Sequence, residues 1–182
     1  MNFEIMDIHS LAELGVLEQF LGKYEKSRLN EQDKFGRSCL HCSIAGKKWD
    51  TVNFLLDEGI DVNLKDKKGN TALRYMLDYM RDNYEEGMKI LKRLLDMGAN
   101  VNEANKDGGT PLLKATGASN GSLGFERWKL LLQYNPDIYK KNNIGRSCYS
   151  MAKEYCDPET WNDSRLFNYL VENGFIKDED YE

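Results

Sequence analysis

Gly36-Arg-Ser-Cys-Leu-His41, Gly69-Asn-Thr-Ala-Leu-Arg74, Gly108-Gly-Thr-Pro-Leu-Leu113 and Gly145-Arg-Ser-Cys-Tyr-Ser150 are four copies of one pattern, a glycine followed two residues later by a hydroxyl. The glycine permits a turn that a side chain would obstruct, and the hydroxyl of Ser38, Thr71, Thr110 or Ser147 can accept the orphan amides that open a helix. Pro111 adds the preference of proline for the first helical position. A helical stretch and then a second signal follow each copy: Phe54-Leu-Leu-Asp-Glu-Gly59, Leu94-Leu-Asp-Met-Gly98, Leu131-Leu-Gln-Tyr-Asn135 and Leu170-Val-Glu-Asn-Gly174. Gly59, Gly98 and Gly174 suit the left-handed residue that ends a helix, and Asn135 is the next best choice.

The opening glycines step by 33, 39 and 37 residues (36 to 69, 69 to 108, 108 to 145). A fixed hairpin-and-two-helix unit of about 33 residues resembles the ankyrin repeat, whose Thr-Pro-Leu-His-like turn matches these copies. The two longer steps place insertions inside the repeats, near 78–88 and 117–124, and the last unit carries a further extension near 156–163. Upstream, Ile8-His9-Ser-Leu-Ala12 and Gly15-Val-Leu-Glu-Gln-Phe20 resemble a capping repeat without its leading hairpin. The expected fold is an all-α repeat solenoid with a hairpin or turn plus an antiparallel helix pair per repeat. It forms one domain over 1–182, with a cap at about 1–29 and units at about 30–63, 64–102, 103–139 and 140–182.

The helix faces carry the stacking residues. First helices offer Leu40, Ser43 and Ile44, then Leu73, Met76 and Leu77, then Leu112, Ala115 and Thr116. Second helices offer Val52, Phe54, Leu55 and Leu56; Ile90, Leu91, Leu94 and Leu95; Trp128, Leu130, Leu131 and Leu132; and Phe167, Leu170 and Val171. No unit can bury such a face alone, so stability has to come from neighbouring repeats. The outward face of the cap is read from Glu13, Glu18, Lys23 and Glu25.

Chemistry is sparse. The chain has two histidines, and the resemblance makes His9 and His41 structural residues that bond to nearby backbone around the turn. Cys42 beside His41 makes no dyad, because neighbours on a helix point roughly 100° apart. Cys39 and Cys148 hold one repeat position three units apart, on the order of 25–30 Å, beyond disulfide reach. Cys39-Leu-His-Cys42 lacks a second cysteine pair at zinc spacing, and Cys156 does not supply one. The glycine-rich 117–124 stretch has no following Lys-Ser/Thr, and Glu85-Glu86 and Asp178-Glu179-Asp180 lack calcium-loop spacing. The chain is therefore read as no enzyme, with no catalytic residue, no metal and no cofactor.

A net charge of −5 disfavours the cationic surface that general nucleic-acid binding needs. Without an apolar segment of spanning length or a basic leader the chain reads as cytoplasmic, with no membrane partner and a monomer when unbound. What the resemblance implies is recognition of another protein on a concave face built from hairpin tips and first helices. Its residues here are Phe35, Arg37, Lys67, Lys68, Asn70, Lys106, Asp107, Asn143, Ile144 and Arg146 at the tips, and Asp78, Tyr79 and Tyr155 on the helices. Ala45, Gly46, Gly117, Ala118 and Glu154 fall on the same helical side. Phe35 and Ile144 are apolar at tips that are usually polar, and Tyr79 and Tyr155 supply large, low-entropy contact surface of the kind enriched in hot spots. Trp161 falls in an insertion, where it either packs back or meets the partner. Compact ankyrin proteins of this size also resemble bacterial immunity proteins that neutralise a toxin, so a dedicated inhibitor stands beside a general adaptor.

Overall fold

The computed structural model describes residues 6–80, 84–117, 122–155 and 164–176. Ten α-helices and no strand occur among the described residues. They belong to two compact units, residues 1–106 and 107–182.

The first unit holds α1 (Ile8–Leu14), α2 (Leu17–Leu21), α3 (Cys39–Ala45), α4 (Trp49–Asp57), α5 (Ala72–Tyr79) and α6 (Tyr84–Asp96). Helices pair as α1 with α2, α3 with α4 and α5 with α6, while α1, α3 and α5 stack in one row and α2, α4 and α6 in a second. The second unit holds α7 (Pro111–Gly117), α8 (Ser122–Leu132), α9 (Cys148–Tyr155) and α10 (Arg165–Glu172), paired α7 with α8 and α9 with α10, with α7 stacked on α9.

The stacking faces read from the sequence are the core. Leu40, Ile44, Leu73, Met76, Leu77, Leu112, Ala115 and Thr116 are buried, as are Val52, Leu55, Leu56, Ile90, Leu91, Leu94, Leu95, Trp128, Leu131 and Leu170. Each leucine-sized side chain so buried contributes about 1.5–3 kcal/mol relative to exposure. In the second unit the Trp128 indole donates to Thr116 Oγ1 at 3.0 Å, and that hydroxyl donates to the Leu112 carbonyl at 2.9 Å, so the largest buried ring leaves no polar atom unpaired. Gly59, Gly98, Gly174 and Asn135 all have positive φ (81°, 86°, 69° and 52°), as the helix-ending signal requires.

Several expectations are corrected. Phe54, Phe167 and Val171 are only half-buried. Phe54 lies 4.9 Å from Tyr24 and 6.2 Å from Phe20, sealing the edge of the cap. Glu13 does not face outward: it is half-buried and pairs with Arg37 at 2.9 Å, 24 residues on. Gly46 is not an open surface position, because any side chain there would run into the Glu13 carbonyl as α1 crosses α3. Thr71 makes no capping bond, whereas Thr110 accepts the Leu113 amide at 3.2 Å and Ser147 accepts that of Ser150 at 3.1 Å. The hairpins are tight turns, with one isolated antiparallel bridge, Gln32 to Ser38, among the described residues. Ala118, Cys156, Trp161 and Asp178-Glu179-Asp180 lie outside the described residues.

Candidate functional site

The tips are shaped by an aspartate or asparagine three residues before each glycine. Asp33 Oδ1 accepts the amides of Phe35 and Arg37, both at 2.8 Å, and Asp66 Oδ1 accepts those of Lys68 and Asn70, both at 2.8 Å. Carboxylates that take two backbone donors in this way hold the turn with their own side chain. Gly36 completes the first turn at φ 77°, and a Cβ there would lie 2.8 Å from the Lys67 nitrogen. That close approach lets the Lys67 amide donate to the Phe35 carbonyl at 2.9 Å; at Gly69, where a Cβ would lie 3.0 Å from the Lys106 nitrogen, the Lys106 amide likewise donates to the Lys68 carbonyl at 2.9 Å.

Behind these tips stands a column of rings. His41 on α3 contacts Tyr75 on α5 edge-on at 4.9 Å, and Tyr75 lies 5.8 Å from Tyr79 one turn later. Tyr75 Oη donates to Asp66 Oδ2 at 3.0 Å, and Asn70 Nδ2 donates to the same oxygen at 3.2 Å. Burial alone would raise the Asp66 carboxyl, but its hydrogen bonds from Asn70, Tyr75 and Lys68 outweigh that and hold it below its ordinary value. Burial, reinforced by the Asp66 charge, pushes the Tyr75 phenol up, so it stays a donor.

A groove of about 440 Å³ opens over this frame, lined by Phe35, Arg37, Asp66, Lys67, Lys68, Asn70, Tyr75, Asp78 and Tyr79. Phe35 is 54% exposed and Tyr79 39% exposed. The Arg37 guanidinium lies 5.5 Å over the Phe35 ring while binding Asp33 and Glu13, each at 2.9 Å, so it supports the ring more than it projects from the surface. A second cavity of about 640 Å³ on the cap side shares Phe35 and Arg37 and is lined further by Asp7, His9, Arg28 and Glu31.

Of the residues read from the sequence, Phe35, Arg37, Lys67, Lys68, Asn70, Asp78 and Tyr79 meet in the first groove, and Lys106 joins through its backbone. Asp107, Asn143, Ile144, Arg146 and Tyr155 belong to the second unit. There the Asn143 amide donates to the Asp107 carbonyl at 3.0 Å, and Asn142 Oδ1 accepts the amides of Ile144 and Arg146 at 3.1 and 2.9 Å. Ile144 is 77% exposed, and Arg146 lies 3.6 Å from Glu154. Tyr155 is half-buried, and burial raises its phenol. Sequence reading missed Asp66, Tyr75 and the cap-side cavity. The Asp-x-x-Gly turns at 33–36 and 66–69, and the one-turn spacing of Tyr75 and Tyr79, were the available signals.

Both histidines are bonded to backbone groups. The Ser38 amide donates to His41 Nδ1 at 3.1 Å, so the ring proton is on Nε2, which donates to the Asn70 carbonyl at 3.1 Å. That carbonyl lies in the next repeat, not in the local turn, and His9 Nε2 likewise reaches the Glu31 carbonyl at 3.1 Å. Burial lowers the affinity of His41 for a second proton. Cys39, Cys42 and Cys148 are buried free thiols, and burial pushes Cys39 to about 12 and Cys148 to about 11. Among the described residues no three His, Cys, Asp or Glu side chains cluster as metal ligands, and no helix is long and apolar enough to cross a membrane.

Comparison with known proteins adds a family. A model of ankyrin repeats in three copies matches residues 8–85, and one of ankyrin repeats in many copies matches 77–124, so the two together span 8–124, more than half of the chain. Human ankyrin repeat and SOCS box protein 6 is 32% identical over 115 residues, 62% of this chain and 26% of that protein. A probable 26S proteasome regulatory subunit p28 of Saccharomyces cerevisiae is 32% identical over 145 residues, 79% of this chain and 59% of that protein. A probable serine/threonine-protein kinase of Dictyostelium discoideum is 37% identical over 98 residues, 53% of this chain but 11% of that protein. The chain thus spans only part of the length of each relative.

Proposed function

Because the chain belongs to the ankyrin-repeat family, we propose that it is a non-enzymatic protein-binding module whose contact surface in residues 1–106 is the groove between the Phe35 and Lys67 tips and α5. The observation that carries this reading is the pairing of exposed aromatic surface with a frame whose polar groups are already satisfied. Phe35 and Tyr79 stay accessible because Asp33, Arg37, Asp66 and Tyr75 are committed to one another. Rings held in place lose little conformational entropy on contact, which is how such residues become interface hot spots.

In the second unit the exposed Ile144 tip, with Asp107, Asn143 and Arg146, is proposed as a further contact. The same reading takes the protein as a cytoplasmic monomer before binding, in keeping with its buried free thiols. A dedicated inhibitor of one basic toxin gains no support from the groove, whose most exposed charges are the ammonium groups of Lys67 and Lys68.

The test is affinity capture from native cell extract with the wild-type chain beside Phe35→Ala/Tyr79→Ala, with denaturant midpoints measured on both. A stoichiometric partner lost from the variant at unchanged midpoint supports the reading. Equal capture by both proteins moves the contact surface elsewhere.

A further inference from the structure

Resting on the groove reading above, we propose that the occupant of this groove is a short acidic peptide segment in which carboxylates flank one aromatic or large aliphatic residue. The argument is the sorting of charge by depth. Two carboxylates of the frame are spent, and Asp78 of the lining is not free either: Asp66 accepts two backbone amides, Asn70 Nδ2 and the Tyr75 hydroxyl, and Asp33 accepts two amides and Arg37. Arg37 is spent as well, between Asp33 and Glu13.

Lys67 and Lys68 are different. Both are exposed at the second tip, and their side chains make no hydrogen bond or ion pair among the described residues. An entering segment therefore meets two unused ammonium donors at the rim and two exposed rings, Phe35 and Tyr79, inside it. Lys34 places a third ammonium 5.1 Å from the Phe35 ring. Carboxylates on the ligand pair with the rim, and an apolar side chain between them covers the rings that water otherwise faces.

The net charge of −5 opposes an acidic partner at long range, which limits the occupant to a short segment seated where the ammonium groups are nearest. A groove of this volume suits a few side chains rather than a folded surface.

The test is selection of a phage-displayed library of random short peptides on the immobilised full chain. The selected peptides are then measured on Lys67→Glu/Lys68→Glu and on Phe35→Ala/Tyr79→Ala. Expected are acidic peptides with an aromatic or aliphatic centre, bound about tenfold or more weakly by each double variant and weakened by salt. Neither lysine side chain holds the fold, so the charge-reversed protein keeps its denaturant midpoint. Basic or neutral peptides that need Phe35 and Tyr79 but bind the charge-reversed protein equally well would overturn the acidic occupant and leave the groove reading intact. Peptides indifferent to both variants, or no selected peptides at all, would overturn both. Oligothymidylate competing as well as the acidic peptides would also overturn the proposal, by showing a site for polyanions in general.

Discussion

Residue 41 in the first unit and residue 150 in the second hold the same place in the repeat, and they close it differently. His41 takes the Ser38 amide on one ring nitrogen and reaches the Asn70 carbonyl of the next repeat with the other. Ser150 exchanges bonds with Ser147 of its own turn, its amide donating to Ser147 Oγ at 3.1 Å and its Oγ accepting the Ser147 amide at 2.9 Å. The histidine makes the cap of one helix part of the contact between repeats. The serine caps its own helix. The same contrast extends to the tips: Phe35 packs against the Arg37 guanidinium that Asp33 and Glu13 hold, while Ile144 projects from a turn whose 144 and 146 amides go to Asn142 Oδ1.

The comparison can be broken most forcefully at residue 41. His41→Ala takes away one of the two donors to the Asn70 carbonyl, which keeps the Asp66 amide, leaves the Ser38 amide without its acceptor and removes the ring against Tyr75, so a loss of about 2–4 kcal/mol in unfolding free energy is expected in denaturant titration. Gly46→Val forces a side chain against the Glu13 carbonyl and is expected to cost about 1–3 kcal/mol by the same measurement. Ser150→Ala removes only a local cap, with an expected loss of about 0.5–1 kcal/mol. Equal losses at residues 41 and 150 would erase the distinction between bridging and local closure.

Acid sharpens it further. His41 is favoured neutral in the fold, so the unfolded chain binds the extra proton more readily. Its contribution is therefore full above the ordinary imidazole range, roughly pH 6.5, and is lost as pH falls through that value toward the lowered folded one. Asp33 and Asp66, held below the ordinary carboxylate range, give up their contribution only in more acid solution, below about pH 4. Denaturant midpoints of wild type and His41→Gln between these two ranges should diverge, with wild type the more pH-sensitive.

Much of this frame was legible in the sequence. Gly-x-Ser/Thr turns, leucine-rich second helices and the closing glycines depend on local conformational preference and on faces repeated at helical spacing, so they can be read without coordinates. The Glu13–Arg37 pair could not be, because it joins residues 24 apart that meet only when α1 stacks on α3. Tyr155 was grouped with Phe35 and Tyr79 on helical position alone. Its half-burial in the second unit makes an alanine there a test of stability as much as of binding. Asp66 and Tyr75 were overlooked because each looks ordinary until Tyr75 Oη is seen on the Asp66 carboxylate.

The central claim is that the rings of the groove serve binding and not folding. Its most direct test is the affinity of a captured partner for Phe35→Ala/Tyr79→Ala, read beside that variant's denaturant midpoint. The account expects binding weaker by about 2 kcal/mol or more, with stability changed by no more than about 0.5 kcal/mol. Unchanged binding, or a stability loss as large as that of His41→Ala, would contradict it.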